Sequence, residues 1–113
     1  MPFVNVKTSV KADEAKKTVI EEKITKAITI LPGKSESHLM CAVEDGVSMM
    51  FHGDKENTAF VEVKILGKST REAYEKLTAA ICDILEEEIG VSPEYCYVKF
   101  EEIVNWGYNK YLF

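Results

Sequence analysis

Pro2 is the residue whose chemistry raises the first question. If the initiator methionine is removed, a proline at this position becomes a secondary amine at the chain end. An α-amine has a pKa near 8, close enough to neutral pH to serve as a general base. The pyrrolidine ring fixes where the lone pair points, and the alternating run Phe3-Val4-Asn5-Val6 would hold it on the end of a strand. Proton abstraction next to a carbonyl is what such a group could do. The competing reading is that Pro2 merely begins a strand, where a missing N–H costs nothing.

The other reactive side chains are less suggestive. Cys41, Cys82 and Cys96 are an odd number with no CxxC pair, so neither a disulfide framework nor a zinc site is expected. His38 and His52 lack metal-ligand spacing and read as structural or exposed. No metal and no cofactor are expected. Arg71 is the only arginine, and it falls in the first turn of a predicted helix.

The elements that must position Pro2 come from a chain of 113 residues, read as one domain over 1–113. The net charge is −5 with no basic run, which argues against nucleic acid and anionic membranes as partners. There is no apolar leader and no apolar run of membrane-spanning length. The default compartment is therefore cytoplasmic, compatible with release without a signal peptide.

Sliding the sequence along itself shows a repeat. Phe3-Val4-Asn5-Val6-Lys7 matches Phe60-Val61-Glu62-Val63-Lys64, an offset of 57. At that offset Ile20 meets Leu77, Ile24 meets Ile81, Ile28 meets Leu85 and Gly33 meets Gly90. The expectation is a β-α-β unit present twice, at about 2–46 and 58–103.

Strands are predicted at Phe3–Thr8 and Thr58–Leu66, with helices over about Asp13–Leu31 and Ser69–Ile89. Closing strands follow near His38–Glu44 and Tyr95–Glu101. Ser69-Thr70-Arg71-Glu72 reads as a capping box led by Ser69, and Gly33 and Gly90 as left-handed helix caps. Short extra strands are expected at Val47–His52 and Lys110–Phe113. The fold class is α+β: a four-stranded sheet with two helices on one face. The bare face is expected to expose Val, Met, Phe and Tyr, and so to drive self-association.

The ordered set Pro2-Phe3-Val4, Gly33-Lys34, Ile65-Leu66-Gly67-Lys68, Val91-Ser92-Pro93 with Tyr97, and Asn105 through Asn109 resembles the tautomerase superfamily. Within it the chain is similar to the macrophage migration inhibitory factor and dopachrome tautomerase branch, over nearly its whole length. The resemblance implies a homotrimer whose sheets close a barrel. It implies keto–enol tautomerisation of phenylpyruvate-like 2-oxo acids or their enols, with Pro2 as the general base and acid.

By position, Lys34 would hold the substrate carboxylate, with a further contact from the Leu66 backbone. Tyr97 and Lys99 would come from a neighbouring subunit, and Ile103, Tyr108 and Phe113 would line an apolar pocket. Lys34 would also disfavour a protonated Pro2 amine. A cytokine-like trimer that binds without turnover is the alternative.

Three departures from the family pattern stand out. Lys99 and Tyr108 replace a common Asn and Trp, and Thr58 and Val61 stand where the branch has its CxxC. An unpaired Lys99 ammonium in the pocket would favour substrates with an acidic or hydrogen-bonding far end; the alternative is a Lys99 that points to solvent and pairs with Glu101 or Glu102.

Overall fold

A computed structural model describes residues 1–113. In chain order the elements are β1 (Pro2–Thr8), α1 (Glu14–Ala27), β2 (Met40–Glu44), β3 (Ala59–Leu66), α2 (Arg71–Ile89), β4 (Cys96–Ile103), β5 (Gly107–Tyr108) and β6 (Tyr111–Leu112). The main sheet has the order β2-β1-β3-β4. β1 and β2 run parallel, as do β3 and β4, and the two pairs join through an antiparallel β1–β3 seam. Each half is thus a β-α-β unit. The starts of β1 and β3, and of α1 and α2, are both 57 residues apart.

Both helices cover one face of the sheet. Val4 and Val6 of β1, with Val61, Val63 and Ile65 of β3, meet Ile20, Ile24 and Ile28 from the first unit and Leu77, Ile81 and Leu85 from the second. All are essentially excluded from solvent. Burial of side chains this size contributes roughly 1.5–3 kcal/mol each, so this layer carries the fold.

The helix ends show local competition. Asp13 caps α1 by accepting the Lys16 N–H at 2.8 Å. α1 stops at Ala27, short of the expected Leu31, and tightens into a 3₁₀ turn over Ile28–Ile30. Ile28-Thr29-Ile30 is a run of β-branched residues, which lose side-chain freedom in an α-helix. Gly33, at φ +79°, lies beyond that turn, whereas Gly90 caps α2 directly at φ +67°. The capping box is displaced by one residue: Thr70, not Ser69, accepts the Ala73 N–H at 3.1 Å. The Ser69 backbone is engaged elsewhere, and Glu72 pairs with Lys76.

The predicted strand at Val47–His52 does not form. His52 and Gly53 both take positive φ, and Phe51 and Asp54 exchange backbone hydrogen bonds across this turn. Near the C-terminus Asn109 and Lys110, also at positive φ, form the turn of a β5–β6 hairpin. Lys110 is therefore in the turn, and the last strand is Tyr111–Leu112.

The expectation of an apolar bare face holds in part: Met40, Phe3, Phe60 and Tyr97 lie on it, but the valines do not and its centre is charged. Strand alternation sends the valines to the helix side. The register then places Met40, Phe3, Lys64 and Glu101 in one row of the open face, and Ala42, Asn5, Glu62 and Lys99 in the next. Lys99 bonds Glu62 at 3.1 Å and Glu101 at 2.7 Å, and Lys64 lies 3.9 Å from Glu62. The centre of this face is a charge network. Exposed apolar side chains flank it on the same face, Met40 at one end and Tyr97 at the other, and others lie at Met50 in the β2–β3 loop and at Val104, Tyr108, Tyr111, Leu112 and Phe113 around the C-terminal hairpin.

Candidate active site

Pro2 opens β1 and is buried, opposite Ile65 of β3. A cleft of about 300 Å³ opens over it, lined by Pro2, Phe3, His38, Met40, Trp106 and Tyr108 among others. The cleft is mostly apolar and aromatic. At its polar edge, His38 Nδ1 lies 2.8 Å from the Ser35 hydroxyl. Tyr108 was expected here from the sequence, but His38, Met40 and Trp106 were not. The register pair Phe3↔Met40 brings in Met40, and no like-with-like match in the sequence marks it.

Lys34 reaches the same end of the sheet from the loop before β2. Its ammonium donates to the Leu66 carbonyl at 2.8 Å. No carboxylate lies within ion-pair distance of it. Lys34 is half-buried, so this cation is partly dehydrated and not neutralised.

The Leu66 N–H in turn donates to the Met1 carbonyl at 3.1 Å. The Met1 amine is held below its ordinary value of 8.0, chiefly because burial disfavours its charged form and secondly because Lys34 repels it. An amine at this chain end is thus in an environment that favours its neutral, basic form.

Ile103 pairs with Leu66 in the β3–β4 register and accepts the Gly67 N–H at 3.0 Å. It lines a second groove, about 320 Å³, with Leu66, Lys68 and Val104. Phe113 stacks near Tyr108 at 6.3 Å between ring centroids, and its N–H bonds the Trp106 carbonyl. Pro2, Lys34, Leu66, Ile103, Tyr108 and Phe113 therefore gather around one end of the chain's own sheet.

Tyr97 and Lys99 do not join them. Tyr97 is in register with Phe60 and, across β3, with Lys7, five residues up β1 from Pro2. At 3.4 Å per residue that is about 17 Å along the strand. Tyr97 instead packs on Phe51 at 4.8 Å, at the opposite end. Lys99 is held by Glu62 and Glu101, which keep its pKa raised through their hydrogen bonds. The unpaired Lys99 ammonium, on which a preference for acidic far ends rested, is absent: two cross-strand and same-strand carboxylates satisfy it.

The remaining titratable groups offer no second centre. Burial pushes the Cys41 and Cys96 thiols up to about 12, so both are poor nucleophiles. All three cysteines are free, and no cluster of His, Cys, Asp and Glu could hold a metal ion. No helix is long and apolar enough to cross a membrane.

Two parallel β-α-β units joined through an antiparallel seam, with helices on one face, are the architecture of the tautomerase superfamily. The sequence profile described as macrophage migration inhibitory factor (MIF) matches residues 1–110, and the chain belongs to that family. Among solved structures, Leishmania major MIF2 is 26% identical with a TM-score of 0.94, covering 100% of this chain and 97% of the other. The MIF-like protein of Entamoeba histolytica is 25% identical at TM-score 0.90, over 99% and 98% of the two chains. The Prochlorococcus marinus homologue is 29% identical at TM-score 0.88, over 98% of each. No curated protein matches the chain. Membership supports tautomerase-type or MIF-like function in general.

Proposed function

We propose that the protein is a keto–enol tautomerase for phenylpyruvate-like 2-oxo acids, working as a homotrimer with Pro2 as its base after loss of Met1. The observation that carries this reading is the half-buried Lys34 cation beside the chain end, bonded to a carbonyl and to no carboxylate. A cation left with its charge uncancelled suits an anionic ligand. Burial, and after it the same cation, hold the Met1 amine below its ordinary pKa.

The substrate carboxylate pairs with Lys34. The Pro2 nitrogen takes a proton from the carbon between ring and carbonyl. The C–H electron pair becomes the C=C bond, and the carbonyl electrons move to oxygen, which takes a proton from water while the Pro2 ammonium returns its proton to solvent. The reverse path returns the Pro2 proton to carbon. Lys34 stabilises the charge that develops on the enolate. Phe3, Trp106 and Tyr108 form an aromatic wall of the cleft for the aryl group. Tyr97 is about 17 Å from Pro2 within the chain, so it can complete the site only from a second copy.

Two measurements test the reading. Light scattering at micromolar concentration is expected to give about three times the 12.8 kDa chain mass. Ultraviolet kinetics on an aryl pyruvate enol, with protein shown by intact mass to begin at Pro2, are expected to show turnover. Full-rate turnover by protein that retains Met1 would remove Pro2 as the base. A trimer that begins at Pro2 and shows no turnover would favour the cytokine-like binding role.

A further inference from the structure

The turn from β3 into α2 carries the Leu66 carbonyl that holds Lys34, and this turn is itself held by a clamp. Tyr74, in the first turn of α2, donates its hydroxyl to Glu102 Oε2 at 2.6 Å. The Ser69 N–H donates to the Tyr74 hydroxyl at 3.1 Å and reaches Glu102 Oε2 at 3.4 Å. The Tyr74 ring stacks on Phe100 at 4.4 Å, which fixes the hydroxyl. Gly67, between Leu66 and Ser69, is tied by its N–H to the Ile103 carbonyl. Leu66–Ser69 is therefore fastened at each end.

The other unit has the same clamp 57 residues earlier. Lys17, the counterpart of Tyr74, bonds Asp45 Oδ1 at 2.7 Å, and Asp45 is the counterpart of Glu102. The Ala12 N–H, counterpart of Ser69, donates to Asp45 Oδ2 at 2.9 Å. The same two backbone positions are joined in the opposite sense, the Gly46 N–H donating to the Val10 carbonyl. Both clamps tie the end of a closing strand to the loop before a helix. Only the second adjoins the cation of the candidate site.

We propose that Tyr74 and Glu102 are positioning residues for Lys34, acting through the Leu66–Ser69 turn, and that Lys17 and Asp45 are a structural copy with no such role. The inference rests on the tautomerase reading for its kinetic form. Tyr74 and Glu102 touch neither substrate nor the reacting atoms. They set where the Leu66 carbonyl points, and so where the Lys34 ammonium waits for a carboxylate.

The matched clamp supplies an internal control. Tyr74→Phe keeps the ring stack and removes the hydroxyl. Glu102→Gln and Asp45→Asn remove the same charge from equivalent places. All three are expected to lower Tm. Tyr74→Phe and Glu102→Gln are expected to raise KM for an aryl pyruvate about three- to tenfold, the scale of one lost net hydrogen bond, with kcat within about twofold. Asp45→Asn should leave KM unchanged. Equal KM in wild type, Tyr74→Phe and Glu102→Gln, or an equal rise in Asp45→Asn, overturns the proposal.

If wild type has no turnover, the tautomerase reading has failed, and the clamp is decided without a ligand. The ¹H–¹⁵N signal of the Lys34 ammonium reports its bond to Leu66. A shift or faster proton exchange in Tyr74→Phe but not in Asp45→Asn upholds the clamp. No change in Tyr74→Phe overturns it.

Discussion

In the first β-α-β unit the leading strand begins with Pro2, and the residue after the glycine beyond the helix is Lys34. In the second unit those two places hold Ala59 and Val91, both within the core and at most 2% exposed. The second unit shows what these positions do by default: they seal the end of a hydrophobic layer. The first unit keeps the strand start buried at Pro2, opens the other place at Lys34, and gains an amine candidate and a cation. The fold is the same in both halves, so the proposed chemistry would belong to the substitutions and not to the architecture.

The contrast is broken most directly at the strand starts. Pro2→Gly is expected to lower turnover by about 10²–10⁴-fold while the assembly stays intact by light scattering. Ala59→Gly should cost about 0.5–1 kcal/mol in urea unfolding and leave turnover within about twofold. Similar kinetic losses in both would mean that strand packing, not the amine, carries the rate.

The helix cores test the shared part of the comparison. Ile24 and Ile81 are equivalent and fully buried. Ile24→Ala and Ile81→Ala should each cost about 2–5 kcal/mol. Values differing by several kcal/mol would show that the two units do not share the load.

The two lysines sharpen it. Lys34→Met should lower kcat/KM by roughly ten- to a hundredfold, the worth of one charged hydrogen bond. Lys99→Met should change it less than about threefold, because Lys99 is already neutralised by Glu62 and Glu101. Burial first, and Lys34 second, hold the Met1 amine below its ordinary value, and a Pro2 amine would meet the same cation. Without it the amine stays protonated to higher pH, and the rising limb of kcat/KM must move upward. A profile that stays in place would separate Lys34 from the base.

The smallest effect concerns acid. Hydrogen bonds from Lys17 and from Tyr74 hold the Asp45 and Glu102 carboxyls below their ordinary 3.8 and 4.5. Their contribution is present above those values and is lost as pH falls through the lower folded-state pKa values. Tm measured from pH 5 down to pH 2 should fall less steeply in Asp45→Asn and in Glu102→Gln, to similar degrees. Unchanged slopes in both would mean that neither clamp is coupled to folding.

The repeat at offset 57 was legible because it pairs like with like: Val4 with Val61, Ile24 with Ile81, Gly33 with Gly90. Elements, core and the place of Pro2 and Lys34 follow from it. The clamps were invisible to the same comparison because their members differ in type, Lys17 against Tyr74 and Asp45 against Glu102. On the open face the Met, Phe and Tyr were placed rightly and the valines were not, because composition counts valines without saying which way alternation points them. The pairing of Lys99 with Glu62 depends on cross-strand register, which no local pattern in β4 contains. His38, Met40 and Trp106 reach the cleft through loop geometry and strand pairing, and none sits in a motif.

The hydrogen bond from the Leu66 N–H to the Met1 carbonyl gives the first residue a second meaning. Met1 occupies the mouth of the Pro2 cleft while its carbonyl satisfies a backbone donor there. It thus places an acceptor oxygen at that N–H and an apolar side chain in the lining of the cleft. Excision would do more than convert an amide nitrogen into a base. It would vacate the seat and leave the Leu66 N–H unsatisfied, one more donor beside the Lys34 ammonium. Aminopeptidase processing would then be a single irreversible step that changes both the amine at the chain end and the donors exposed beside it.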